Sequence, residues 1–177
     1  MKAAGLLTLA LVAVLPGLTL EAQPLSQASG VITTRVEIAN DPLVITPVED
    51  LGFGQLVPGT PSTVNPRTSA TAGKFEIRGV RRAEFTFDLT LPVELRVGPH
   101  TIPLSFGGAA GCHAAMDNQN ACSTFDPALT LTTRIRNQAP PGNTHFVWLG
   151  GSALPSPTQF PGIYTATVTA TVQYTGN

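Results

Sequence analysis

Charge is what this chain has least of. Only 12% of its 177 residues are Asp, Glu, Lys or Arg, and the formal net charge is −1, where a globular domain ordinarily carries about a quarter charged residues. Without a basic excess there is no electrostatic footprint for nucleic acid, and Thr, Ser, Asn and Gln must keep the surface wet. Helical periodicity is absent too, since no long stretch repeats apolar residues every three or four positions. Three histidines, His100, His113 and His145, stand isolated from one another, with no local signature of a nucleophile–His–carboxylate triad. Gly107-Gly108, Gly111 and Gly150-Gly151 precede no helix pattern and offer no phosphate cradle. The one tryptophan, Trp148, falls in an apolar run and reads as core rather than as an exposed platform for a sugar.

The first apolar stretch ends early. Met1-Lys2 is followed by LLTLALVAVL at residues 6–15 and by Pro16-Gly17. A positive start, a short apolar centre and a small-residue stretch make a secretory signal peptide. It is too short for a membrane span of about 20 residues, and no later run in the chain is long enough. Cleavage after Ala22 or after Ala28 fits the sequence, which leaves one domain, residues 23–177, exported as a secreted or cell-surface protein.

Beyond the leader the period is two. In residues 163–174, Tyr164, Ala166, Val168, Ala170, Val172 and Tyr174 alternate with Ile163, Thr165, Thr167, Thr169, Thr171 and Gln173, the pattern of a strand with one dry and one wet face. The same alternation runs through Ile32, Thr34, Val36 and Ile38, and through Phe85, Phe87, Leu89 and Leu91. Shorter stretches lie around Leu43-Val44-Ile45, Phe75 and Ile77, Ile102 to Phe106, Leu129 to Ile135, and Phe146 to Leu149. Seventeen glycines and sixteen prolines punctuate them. Residues 57–73, rich in Pro, Ser and Thr, read as an exposed connection. Eight or nine short strands with half-apolar faces predict an all-β, immunoglobulin-like or pilin-like sandwich in one domain.

Few residues invite chemistry. Cys112 and Cys122, in an exported chain, read as a local disulfide. His113 raises the alternative of a metal, but zinc takes four ligands and no second Cys/His pair exists. His145 reads as a strand-edge residue and His100 as part of a turn. Glu76, Glu84, Asp88 and Glu94 are expected to face water. Arg78, Arg81 and Arg82 read as a solvated turn or as an anion or glycan contact. The polar run Asp117 to Asn120 has one carboxylate and makes a poor calcium cage. No residue is assigned a catalytic, cofactor-binding or metal-ligating role, and the expectation is a non-enzymatic protein without cofactor.

Pro42-Leu43-Val44-Ile45-Thr46, Asp50-Leu51-Gly52-Phe53-Gly54 and the stretch Gly73-Lys74-Phe75-Glu76-Ile77-Arg78-Gly79 resemble a large bacterial domain-of-unknown-function family of exported β-sandwich proteins. That family is similar to spore coat protein U and to chaperone–usher pilins. Gly150-Gly151, Pro161-Gly162-Ile163-Tyr164 and the Thr/Val run to Tyr174 resemble its ending. Gly162 and Tyr174 have the pilin spacing of twelve, although the chain ends three residues past Tyr174, where the pilin pattern has the tyrosine next to last. The cysteine loop reads as an insertion to which the family lends no function. The resemblance implies a sandwich lacking one strand, filled by a neighbouring subunit's N-terminal extension, with self-association or homologous subunits, a periplasmic chaperone and an usher as partners. Ile32, Thr34, Val36 and Ile38 are the donor candidates, or else an ordinary first strand of the same sheet. Gly162, Tyr164, Val168, Val172 and Tyr174 mark the terminal strand.

Overall fold

The computed structural model describes residues 42–176. The leader and the candidate donor residues Ile32, Thr34, Val36 and Ile38 lie outside them. Within them the chain forms twelve strands, all paired antiparallel, and a single 3-10 turn, Gln119–Ala121. In order the strands are β1 (Val44–Glu49), β2 (Ser62–Val64), β3 (Gly73–Arg78), β4 (Glu84–Thr90), β5 (Glu94–Val97), β6 (His100–Ser105), β7 (Gly111–Ala114), β8 (Ser123–Phe125), β9 (Leu131–Arg134), β10 (Thr144–Leu149), β11 (Gly151–Ala153) and β12 (Thr169–Tyr174). The all-β, sandwich-like architecture is as expected, but twelve strands exceed the eight or nine read from alternation. The extra ones are short or built from small residues. β2 lies inside the stretch expected to be loop, and β7 and β8 are made of the cysteine segment itself.

One five-stranded sheet, β1-β3-β10-β7-β8, forms the principal layer. β10 is at its centre, which explains the unbroken apolar run Phe146 to Leu149: a central strand covered on both faces has no wet side. Val147 packs with Ile77, Phe85, Phe87 and Ile135 on one face. Trp148 packs with Val64, Ala72, Cys112 and Cys122 on the other.

Opposite the first face lies a layer in two parts, β12-β4-β9 and the β6-β5 end of the sheet β2-β11-β6-β5, whose far strand β2 sends Val64 to the Trp148 side. β4 alternates as its sequence requires, with Phe85 and Phe87 fully buried and Asp88 exposed. The two parts meet where Leu91-Pro92-Val93 joins β4 to β5. This break shortens the last strand. Expected over residues 163–174, it is ladder-bonded only over Thr169–Tyr174, against β4, with a separate bridge from Thr165 to Arg96 of β5. Seven residues from Thr90 to Arg96 thus oppose five from Thr165 to Thr169, and Pro92 in that gap has no N–H to give a ladder. Ala166, expected on the dry face, is exposed; Ala170, Val172 and Tyr174 keep the predicted inward side.

Candidate functional site

The two-part second layer leaves the sandwich incompletely filled. A cavity of about 950 Å³ is lined by Phe75 and Leu149 of the principal sheet and by Leu95, Ile102 and Leu104 of β5 and β6. Alternation turns all five inward, yet Phe75, Leu95 and Leu104 stay half-exposed while Ile102 and Leu149 are buried. Inward-facing apolar side chains still open to solvent mark a core that needs more atoms to close it. The groove's rims are chain segments poor in ladder bonds. One is the end of β1 and the loop that follows, through Pro47, Glu49 and Leu51; the other runs from Phe160 to Val168. β1 is the outer strand of its sheet, with β3 its one partner among the described residues, and carries a bulge between Pro47 and Glu49, a common way of blunting an edge.

The five terminal-strand residues divide between two places. Gly162, Tyr164 and Val168 line the groove. The Tyr164 hydroxyl donates to the Phe160 carbonyl at 2.7 Å and accepts from Gln159 Nε2 at 2.6 Å, fixing that rim. Val172 and Tyr174 instead belong to the closed core against β4. There the Val80 N–H donates to the Tyr174 hydroxyl at 2.7 Å, and Gly79 lies so close that a Cβ on it would meet that oxygen at 2.4 Å.

The cysteines form the expected disulfide, Cys112 to Cys122, with Cα atoms 5.7 Å apart. Their segment is no loose insertion. β7 pairs with β10, β8 pairs with β7, and the connecting turn reaches across the outer face of the sheet. Gln119 Nε2 donates to the carbonyls of Pro66 and Ser69, both at 2.8 Å, and Arg67 donates to the Asn120 carbonyl at 3.0 Å. Lys74 pairs with Asp117 at 2.8 Å and lies over the rings of Phe146 and Trp148. The hairpin is a cover for Trp148.

His145 is not at a strand edge: it is 3% exposed, in the central strand. Its Nδ1 donates to the Arg134 carbonyl at 3.1 Å, and its Nε2 lies 3.1 Å from Nδ1 of His113. Burial, and after it the nearby His113 ring, push the His145 imidazole down to about 4, against an upward pull from the Arg134 bond; burial also lowers His113. Sequence reasoning passed over this pair because thirty-two residues separate its members and only the β7–β10 pairing joins them. His100 opens β6 just past its turn and stacks on Phe160, with ring centroids 4.3 Å apart.

The carboxylates serve surface pairs: Glu76 with Arg78 at 2.6 Å, Glu84 with Arg134 at 3.4 Å, and Glu94 with Arg96. Glu76, Glu84 and Glu94 are half-buried rather than fully in water. Arg81 and Arg82 are exposed, Arg82 with φ 63°. No three His, Cys, Asp or Glu side chains among the described residues are grouped to hold a metal, and no helix there is long and apolar enough to cross a membrane. Compared with known proteins, the chain matches no family model, no curated protein and no solved structure.

Proposed function

We propose that this chain is an exported structural subunit of a fimbria-like surface fibre or coat, built by strand addition. The observation that carries the reading is the groove, a trough of about 950 Å³ with an apolar inner wall of Phe75, Leu95, Ile102, Leu104 and Leu149. An added strand supplies what such a trough lacks: alternate apolar side chains for the interior and main-chain donors and acceptors for the bare rims. The occupant we assign is residues 30–39 of a neighbouring copy. Ile32, Thr34, Val36 and Ile38 recur at the two-residue spacing that places side chains on one face. The segment ends a few residues before β1, whose end forms one rim of the groove. Its length and position suit exchange between copies, and export brings the Cys112–Cys122 bond to the oxidising setting where disulfides persist.

A self-contained secreted binding module is the second reading. Phe160 and Ile163 beside the groove are 54% and 85% exposed, and a glycan or surface ligand with an apolar face would seat against them.

Size-exclusion chromatography of the exported chain over a range of concentrations separates the two. Ladders or fibres are expected, with a variant lacking residues 30–39 staying monomeric yet binding a peptide that copies them. Leu104→Glu in that variant should weaken peptide binding at least roughly tenfold, because a carboxylate would be buried in the trough. A chain that stays monomeric at every concentration, or a deletion variant that still polymerises, overturns the strand-addition reading.

A further inference from the structure

Among the described residues, the His113–His145 pair is the one buried titratable cluster that the strand-addition reading leaves unused. Its proton inventory follows from its partners. A carbonyl can only accept, so His145 carries its proton on Nδ1 toward Arg134 and presents a bare Nε2; His113 Nδ1–H, 3.1 Å away, donates to it. The two rings are near-parallel, centroids 5.3 Å apart. Phe85 meets His145 edge-on, Phe125 meets His113 edge-on, and Ile77 of β3 is His145's partner in the ladder.

We propose that this pair is an acid-operated latch, which holds the β7–β8 hairpin against β10 while at least one ring is neutral and releases it when both are charged. One proton is tolerated. It goes to Nε2 of the half-buried His113, and the bond between the rings survives because His113 Nδ1–H still donates. A second proton has only His145 Nε2 to occupy. That turns the hydrogen bond into two N–H groups facing each other, on two cations in an apolar setting. The contact opens by turning His113 outward, since His145 is walled in by the central strand.

Among the described residues no nearby charge offsets this. On β3, Glu76 and Arg78 pair with each other and Lys74 with Asp117; on β4 and β9, Glu84 pairs with Arg134, which offers the dyad only its carbonyl. Asp88 of β4 accepts from Thr130, and Asp126 beyond β8 accepts from the Ala128 N–H. On β8 the neighbours are Phe125 and Ser123, opposite His113 in the ladder. The disulfide joins β7 to the residue before β8, and the turn between them stays held by Gln119, Arg67 and Lys74, so release loosens the hairpin without freeing it.

The sign follows from the direction of the shifts. Both rings are held below their ordinary 6.5, so the unfolded chain binds protons first as pH falls. The latch is whole above about 6.5 and lost as pH falls toward about 4.

The test is an NMR titration of the imidazole nitrogens with amide hydrogen exchange on the whole chain, through that same range. Expected are the Nδ1–H tautomer for His145 at neutral pH and, as it titrates, at least a roughly tenfold loss of protection in β7 and β8 while β3 and β4 keep theirs. His113→Gln keeps a donor and can flip its amide to accept, so its hairpin protection should stay level. Uniform loss across all strands, hairpin protection unchanged while His145 titrates, or the same loss in His113→Gln each overturns the latch. None of these outcomes bears on strand addition, which uses the other end of the sandwich.

Discussion

At Gly150 the chain leaves one sheet for another, between the end of β10 and the start of β11. A Cβ there would lie 2.2 Å from the Val64 carbonyl oxygen and 2.8 Å from Pro66 Cδ. Backbone, not a pliable side chain, would have to yield, so Gly150→Ala should cost about 2 kcal/mol or more, as overpacking does. Tyr174→Phe makes the contrasting case. It takes away the acceptor for the Val80 N–H, and a part-buried donor left without its partner costs about 1 kcal/mol. Urea denaturation of both variants would check the order: two midpoints lowered at constant slope, Gly150→Ala the lower. Tyr174 was legible as a terminal-strand residue because a large aromatic closed a clean alternation. Nothing in Gly150-Gly151 beyond a turn signal announced that Val64 and Pro66 press on the backbone, since that approach is made by residues more than eighty positions away.

For whole elements, legibility followed side-chain size. β4 and β10 were readable because Phe85, Phe87, Val147 and Trp148 write large apolar marks at a strand period. β7 and β8 were not, since Gly111, Cys112, Ala114 and Ser123 look like loop until the bond to Cys122 and the ladder to β10 are known. The hairpin's work as a cover yields a prediction with a clean reporter, because Trp148 is the chain's one tryptophan. Replacing Cys112 and Cys122 together by Ala removes a short closed loop, worth about 2–3 kcal/mol on the chain-entropy account. It also empties part of the cluster around Trp148. Under native conditions the variant should show red-shifted emission and stronger acrylamide quenching, as well as a lower unfolding midpoint. A midpoint that falls while the native spectrum and quenching stay unchanged would mean that the contacts of Gln119, Arg67 and Lys74 hold the cover without the disulfide.

On the scale of the molecule, the sequence carried the layer architecture and the inward side of each main strand, but not the gap between the layers. Alternation assigns Ile102 and Leu104 to an interior; it does not say whether that interior is full. The break at Pro92 opens the groove, and it is a distance effect between β4, β5 and β12 rather than a motif. Charge scarcity, the first thing visible in the sequence, returns here as a constraint on assembly. The formal net charge is −1, the proposed donor residues 30–39 carry one Arg and one Glu, and although Glu49 and Asp50 sit on its rim, the groove's inner wall is Phe, Leu and Ile. Binding of that segment should therefore draw on apolar burial and main-chain bonds, both indifferent to a shorter Debye length. For a variant lacking residues 30–39, the affinity for a peptide copying them should change less than about twofold between about 0.05 and about 0.5 M NaCl, with a negative heat-capacity change in titration calorimetry. A fall of about tenfold or more across that range would shift the contact from the groove to charged residues, with Arg81 and Arg82 exposed beside Arg78 as the first place to look.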